Sequence, residues 1–410
     1  MCAGLCFNTL IILFGGSNGS GEELSRHDAC GGESGSSRGD LTDLRVERPT
    51  LLLNEERAKR NIERMAGKAE ASGVRFRPHF KTHQSAEVGE WFKQVGVDSI
   101  TVSSVDMAAY FSANGWEDIT IAFSVNIRAM ERIDELAAKI SLGLLVESDE
   151  TVEFLNKNLK YRVDLWVDVD VGYGRTGADW HDTRKVLSLA EKVKHSEVLS
   201  FAGVLTHAGH SYEVKSVDEI RGIFFDSVSK MSSLRDELAA KGFGDAEISV
   251  GDTPTCSVVD DFSGVDEIRP GTFVFYDAKQ LQLGCCNQDD IAIALCCPVA
   301  AKHEERNEIV VHGGAVHLSK DYLTDSRGIR VYGRVCLPEK KSWGSIIKNA
   351  YVSFLSQEHG IVKADEAFLR SVHVGDVLMV LPVHSCLTVD AMREFLTLDG
   401  RMLKTMPKFW

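Results

Sequence analysis

Arg77-Pro78-His79-Phe80-Lys81-Thr82-His83 stands where a short β-like run, Val74 to Pro78, hands over to a helical pattern. In α/β barrels the carboxyl ends of the strands present the catalytic side chains, and an amine held there can form a Schiff base. Lys81 is therefore a candidate nucleophile, although most lysines are solvated surface charges. The alternation extends outward along the chain. Candidate strands end near Pro78, Val102, Ala122, Val146, Val169, Thr206, Val250 and Arg269, with amphipathic helices between them. In Glu55–Ser72, for example, Ile62, Met65, Ala66 and Ala69 fall on one helical face, and Asn54 is a candidate N-cap. Eight strands spaced by helices predict an α/β fold, a (β/α)8 barrel with its last crossover degenerate.

Beyond Tyr276 the helical periodicity fades. Runs at Ile291–Leu295, Glu308–Val311, Arg330–Val335, Ala350–Leu355 and Val377–Leu381 predict a mostly β C-terminal domain. The expected organisation is a flexible N-terminal extension over residues 1–40, a barrel over 48–284 and a β-rich, metal-binding domain over 285–410. A strand within 48–53 is placed to join that last domain.

A chain of 410 residues fits this plan, since a barrel takes about 250 residues and a second domain about 100. With 46 Lys+Arg against 60 Asp+Glu the formal net charge is −14. That balance gives no electrostatic footprint for nucleic acid or an anionic membrane, so a small-molecule ligand is expected. The ten cysteines are scattered and include the doublets Cys285-Cys286 and Cys296-Cys297, which suit buried strand thiols and a reducing compartment. Leu5 to Phe14 looks like a weak signal-peptide core, yet no Lys or Arg precedes it, and the run falls short of the roughly 20 residues that span a bilayer. A cytoplasmic protein without a membrane segment is the expectation.

Further clusters sit at the ends of other candidate strands. The fifth runs into Gly172-Tyr173-Gly174-Arg175-Thr176-Gly177, where glycines allow close backbone approach to a flat ligand and Arg175 can donate to an anionic oxygen; a tight turn with a solvated arginine fits equally. The sixth ends in His207-Ala208-Gly209-His210-Ser211-Tyr212, offering rings that stack on or bond a ligand ring, or a histidine satisfied by a carbonyl. Gly251-Asp252-Thr253-Pro254-Thr255 and Arg269-Pro270-Gly271-Thr272 follow the seventh and eighth, where phosphate sites recur in such barrels; the first is also a plausible capped turn. Gln357-Glu358-His359-Gly360 reads as a surface loop near a turn. In Pro382-Val383-His384-Ser385-Cys386 the His-x-Cys spacing puts two borderline-soft ligands on one side of an extended strand, which suggests zinc with open positions; a buried thiol beside a core histidine is the alternative.

As a set, RPHxKTH, GDTPT, RPG, SQEHG and the terminal HxC occur in the order that resembles the D-threonine aldolase and D-serine dehydratase group of the alanine-racemase-like, fold-type III pyridoxal-phosphate enzymes, from about Arg48 to the C-terminus. The resemblance implies that Lys81 carries pyridoxal 5′-phosphate as a Schiff base, that Arg175 faces its phenolic oxygen, that Thr253, Gly271 and Thr272 line its phosphate and that Tyr212 sits at the cofactor. It implies a metal on His384 and Cys386, zinc or another divalent ion, and a homodimer. Glu213-Val214-Lys215 departs from the small residues expected after the tyrosine, which shapes the pocket rim differently.

His-x-Cys resembles the dehydratases, whereas His-x-Asp is the pattern of bacterial D-threonine aldolases, so the implied reaction is β-elimination of water from D-serine to pyruvate and ammonia. The alternative is a metal-dependent D-threonine aldolase giving glycine and an aldehyde. A non-catalytic cofactor-binding protein on the same barrel would leave the metal pair without a role.

Overall fold

The computed structural model describes residues 46–408, so the expectations for residues 1–40 lie outside them. Eight parallel strands, Arg75–Phe76, Ser99–Val102, Asp118–Ser124, Ser141–Val146, Val163–Asp170, Leu199–Thr206, Glu247–Val250 and Glu267–Ile268, form one sheet whose ends meet. The eighth pairs with both the seventh and the first. Between first and second, a single parallel bridge, His79 to Thr101, completes the ring: Phe80 N–H donates to the Thr101 carbonyl and Thr101 N–H to the Pro78 carbonyl, each at 2.9 Å. The heptapeptide quoted at the outset is thus part of the seam, and its lysine is held at the rim.

The strands form because short β-branched and aliphatic runs are covered on both faces, which parallel sheets require. Ile100, Ile119, Leu144, Leu165, Val204, Ile248 and Ile268 are buried in successive strands. Helices between them start where a short polar side chain satisfies an orphan N–H: Ser104, Ser148, Asp182 and Ser216 each accept from the residue three positions on. Helix Glu55–Ser72 has the predicted bounds; Ile62, Met65 and Ala69 are buried, with Ala66 only half so. The crossover between strands seven and eight is reduced to helix Thr253–Val258. This is the (β/α)8 barrel with a degenerate last crossover that the periodicity predicts.

A second, largely antiparallel sheet places strands Glu308–His312, His359–Lys363, Tyr351–Leu355, Gly333–Cys336, Val377–Pro382 and Ile293–His303 in that order. Thr50–Leu53 lies beside the last of these and pairs in parallel with Glu394–Thr397. The region read as a surface loop at Glu358-His359-Gly360 enters a strand, paired residue for residue with Glu308–His312.

The chain divides into two compact units. Glu55–Ile293, Pro382–Glu394 and the described residues from Leu403 on form one; the described residues up to Asn54, Ala294–Leu381 and Phe395–Met402 form the other. The division runs differently from a single boundary at 285, because the segment that follows Leu381, Pro382–Glu394, belongs to the barrel unit. His384 and Cys386 travel with the barrel.

Cys296 and Cys297 are buried strand thiols, whereas Cys285 and Cys286 follow helix Ala278–Leu283 in a turn; the seven described cysteines are all free. Among the described residues no helix is long and apolar enough to cross a membrane.

Candidate active site

The segment carrying Lys81 is anchored by its neighbours. Phe80 is fully buried against Phe92, Phe111 and Trp116, with ring centroids at 4.9, 4.9 and 5.0 Å. His83 is locked behind it, its Nδ1 at 3.1 Å from both the Ser85 N–H and the Ser85 carbonyl, and burial holds its imidazole down at about 3. Between these anchors Lys81 Nζ makes no hydrogen bond or ion pair among the described residues. Burial, with Arg175 and Arg269 nearby, lowers the basicity of its amine against the opposing pull of Cys386. A lysine amine of depressed basicity is one activated for attack on a carbonyl.

Around it the rims of strands five to eight contribute the other predicted residues. His207 Nδ1 lies 2.6 Å from the Gly251 carbonyl and donates to it, which leaves Nε2 with the lone pair. Burial and the neighbouring Lys81 hold this imidazole neutral, at about 3. Tyr212 closes a short 3-10 turn, Gly209–Tyr212, and its hydroxyl accepts the Thr253 N–H at 3.3 Å. Burial, with Asp252 beside it, raises the phenol well above its ordinary range, so it stays protonated. Asp252 is occupied as the N-cap of helix Thr253–Val258, accepting from Thr255 N–H at 2.8 Å and Ser211 Oγ at 2.8 Å. The GDTPT stretch is thus the capped turn, and it delivers a ligand group as well: the Thr253 hydroxyl is buried without a partner.

The glycines around Arg175 make a turn about a carboxylate. Asp170 Oδ1 accepts from the N–H groups of Gly172, Tyr173 and Gly174 at 2.9, 2.8 and 3.1 Å. Arg175 emerges exposed, its guanidinium 5.5 Å from the centroid of Tyr173, and no hydrogen bond holds it among the described residues. The Tyr173 ring in turn occupies space that only a glycine at 209 leaves open; a Cβ there would lie 2.2 Å from the ring.

The eighth strand brings the remaining pieces together. A Cβ on Gly271 would lie 2.8 Å from the His79 carbonyl and 3.1 Å from Thr82 Oγ1, so the Arg269-Pro270-Gly271 turn packs directly on the Lys81 segment. Thr272 follows, and its hydroxyl points at Cys386 Sγ, 3.5 Å away; Thr82 Oγ1 lies 3.2 Å from the same sulfur. His384 and Cys386 are not on an extended strand. The strand ends at Pro382, His384 is the N-cap of helix Ser385–Met392 and Cys386 sits in its first turn. A strand-to-helix corner still converges the two side chains. Burial alone would push the Cys386 thiol up, but the bonded His384 ring and the Lys81 charge outweigh it and hold the thiol down at about 7.

The geometry therefore gathers Lys81, Thr272, His384 and Cys386 at one rim, with Tyr212 and Thr253 bonded to each other. The donor set of one imidazole and one acidified thiol fits a borderline-soft divalent ion. The unpartnered Thr253 hydroxyl, the unbonded Lys81 amine and the unbonded Arg175 guanidinium fit an anionic, carbonyl-bearing cofactor. Sequence reading missed Thr82 and Asp277, whose contacts with Cys386 and Ser385 join residues far apart in the chain.

The sequence model described as "Alanine racemase, N-terminal domain" matches residues 53–279. The chain belongs to this family. A second match, "Putative serine dehydratase domain", covers residues 292–398. Within the family the chain is similar to the D-threo-3-hydroxyaspartate dehydratase of Delftia sp. (strain HT23), 29% identical over 357 residues that make up 85% of this chain and 93% of the relative. The structure of that dehydratase superposes with a TM-score of 0.82 at 27% identity, covering 90% of this chain and 100% of the other. A mutant of it is known in a metal-free form. The D-serine dehydratase of Dictyostelium discoideum is 24% identical over 384 residues, 87% of this chain and 94% of the relative, and the D-threonine aldolase of Arthrobacter sp is 26% identical over 238 residues, 57% and 62%. These relatives are lyases, and the chain is an enzyme of that broad class. The alanine-racemase-like fold implies pyridoxal 5′-phosphate.

A second group of side chains converges in the sheet unit. His312, His317 and Glu358 bring their ligand atoms within 4.8 Å of one another, with the two Nε2 atoms 3.5 and 3.7 Å from Glu358 Oε2. Gly314 N–H donates to His317 Nδ1 at 3.1 Å, which places the proton of the neutral ring on Nε2, facing the carboxylate.

Proposed function

We propose that the protein is a pyridoxal-phosphate- and zinc-dependent D-serine dehydratase, eliminating water from D-serine to give pyruvate and ammonia. The observation that carries this reading is the convergence of an unbonded amine of lowered basicity, Lys81, with an imidazole–thiol pair, His384 and Cys386, close enough for the lysine charge to act on the thiol. Lys81 would hold the cofactor, with Arg175 toward its phenolic oxygen, Thr253, Gly271 and Thr272 lining its phosphate and Tyr212 adjoining it. The Thr272 hydroxyl lies 3.5 Å from Cys386 Sγ. When bound, the cofactor supplies an electron sink for charge developing at the substrate α-carbon, and the zinc supplies a Lewis acid toward the β-hydroxyl.

The chain's own residues do the rest. Lys81 Nζ is placed to take the α-proton, and its lowered basicity favours the neutral amine that can accept it. Tyr212 remains a neutral donor. His207, with Nδ1 committed to Gly251, presents only an acceptor at Nε2. Two guanidiniums act on Lys81, and Arg269 is turned inward, its Nε 2.6 Å from Ser249 Oγ and its Nη2 2.6 Å from the Thr206 carbonyl. That leaves Arg175 for the cofactor. A homodimer is part of the proposal, on the resemblance alone.

The aldolase reading is kept because a D-threonine aldolase is among the relatives. Incubation with D-serine, D-threo-3-hydroxyaspartate and D-threonine separates these outcomes. Pyruvate from D-serine is expected; glycine from D-threonine with no pyruvate would replace the dehydratase by the aldolase. Lys81→Ala should lose the covalent cofactor absorbance together with turnover, and survival of that band would overturn the role of Lys81.

A further inference from the structure

The helix that carries Cys386 begins at a residue that cannot cap it. Helix Ser385–Met392 has His384 at its N-cap, without a side-chain cap hydrogen bond. The imidazole is committed elsewhere, to the Cys386 thiol. The first N–H groups of a helix have no intrahelical acceptor, and burying one unbonded is costly. Ser385 is fully buried, so water does not solve this.

The acceptor comes from 108 residues earlier. Asp277 Oδ2 receives the Ser385 N–H at 3.1 Å and lies 3.4 Å from Ser385 Oγ. Its other oxygen, Oδ1, receives the Gln280 N–H at 2.9 Å and so caps the carboxylate's own helix, Ala278–Leu283. Capping that helix needs only one oxygen. The second is turned onto the residue between the two candidate metal ligands, and the carboxylate, itself 2% exposed, lies close enough for its charge to act on His384.

We propose that Asp277 is a positioning residue for the metal pair: by capping helix Ser385–Met392 from outside, it holds the His384-Ser385-Cys386 corner in its ligating geometry and releases the His384 ring from capping. This rests on the metal reading above. Asp277 touches neither metal nor substrate on this account; it acts through Ser385. Partners of this kind behind metal ligands typically affect affinity by about 10- to 100-fold.

The test is zinc affinity of the cofactor-loaded protein, by competition with a chromophoric chelator, alongside the cofactor absorbance and the melting temperature. Wild type should take up zinc and Cys386→Ala should not; if wild type takes up none, the metal reading itself fails. Given wild-type uptake, Asp277→Ala should bind zinc at least about tenfold more weakly with the cofactor band intact. Asp277→Asn keeps an acceptor and should recover part of the loss. A merely structural cap would lower the melting temperature and leave zinc affinity unchanged, and that result would overturn the proposal.

Ser385→Pro decides the matter if Asp277→Ala does not fold. Proline suits the first position of a helix and removes the N–H that Asp277 Oδ2 accepts, leaving the Gln280 N–H on Oδ1, and His384, at φ −134° and ψ 101°, already has the extended backbone that precedes a proline. Weakened zinc binding is expected from this variant; wild-type affinity would contradict the inference.

Discussion

The barrel unit and the sheet unit each place histidine beside a side chain able to carry negative charge, and burial and the acidity of that partner separate the two. In the sheet unit, His317 accepts a backbone N–H on Nδ1, so the nitrogen facing Glu358 carries a proton. A metal-bound histidine does the reverse, ligating through a lone pair and donating from its other nitrogen. His312 and Glu358 are nearly half exposed, so their charges are screened, while His317 is more buried. In the barrel unit, by contrast, the His384 ring bears on a buried thiol whose acidity is raised by that ring and by Lys81, with two threonine hydroxyls beside the sulfur. The ring that lowers the thiol's pKa donates to the sulfur and so also carries a proton on that side; what sets the proposed metal pair apart is its burial and a thiol held ready to ionise.

The sharpest way to break this contrast is to count metal in two variants. Cys386→Ala should lose essentially all bound zinc, from about one ion per chain, and D-serine turnover with it, while His317→Ala keeps both. Metal lost on removing His317 instead would reverse the assignment. Next in size is the acid sensitivity of the barrel core. His83 has its folded value depressed to about 3 from an ordinary 6.5, so below pH 6.5 the unfolded chain binds the extra proton and stability falls as pH falls, down to about 3. The contribution is about 1.4 kcal/mol per pH unit, read as the slope of denaturant midpoints of cofactor-free protein, and His83→Gln should lessen the slope by about that amount while the like contribution of His207 remains. An unchanged slope would show that His83 does not carry the effect.

Removing one hydroxyl at the thiol is milder. Thr82→Val should weaken zinc binding by about tenfold without disturbing the cofactor band, measured by chelator competition. Smallest is Glu358→Gln, expected to move stability by less than about 1 kcal/mol in thermal or denaturant unfolding, since both imidazoles it faces are partly solvated. A loss of several kcal/mol there would mean that the sheet cluster is a structural centre after all.

What could be read in the sequence follows the range of the forces involved. The eight barrel strands and helix Glu55–Ser72 were legible because apolar periodicity and short polar caps act within a few residues. Lys81 stood out by its position after a strand, and the structure shows why it is held there: its neighbours form the barrel seam. Long-range pairing was not legible. Arg77 bonds Glu267, 190 residues on, and Cys386 meets Thr82 across 304 residues, with no local pattern to announce either. The His384-Ser385-Cys386 corner was misread as a strand because a two-residue spacing suits an extended chain, whereas the helix it starts draws its cap from Asp277. His359–Lys363 was missed as a strand because its opening His-Gly has little β-propensity, and its partner Glu308–His312 supplies the pairing.

The most direct test of the central claim is pyruvate formation from D-serine by the cofactor-loaded protein, with and without a chelator. The account predicts pyruvate that the chelator abolishes and added zinc restores. Pyruvate formed undiminished in the chelator by protein shown to be free of metal would contradict the role given to His384 and Cys386, and no pyruvate from metal-loaded protein would contradict the dehydratase itself.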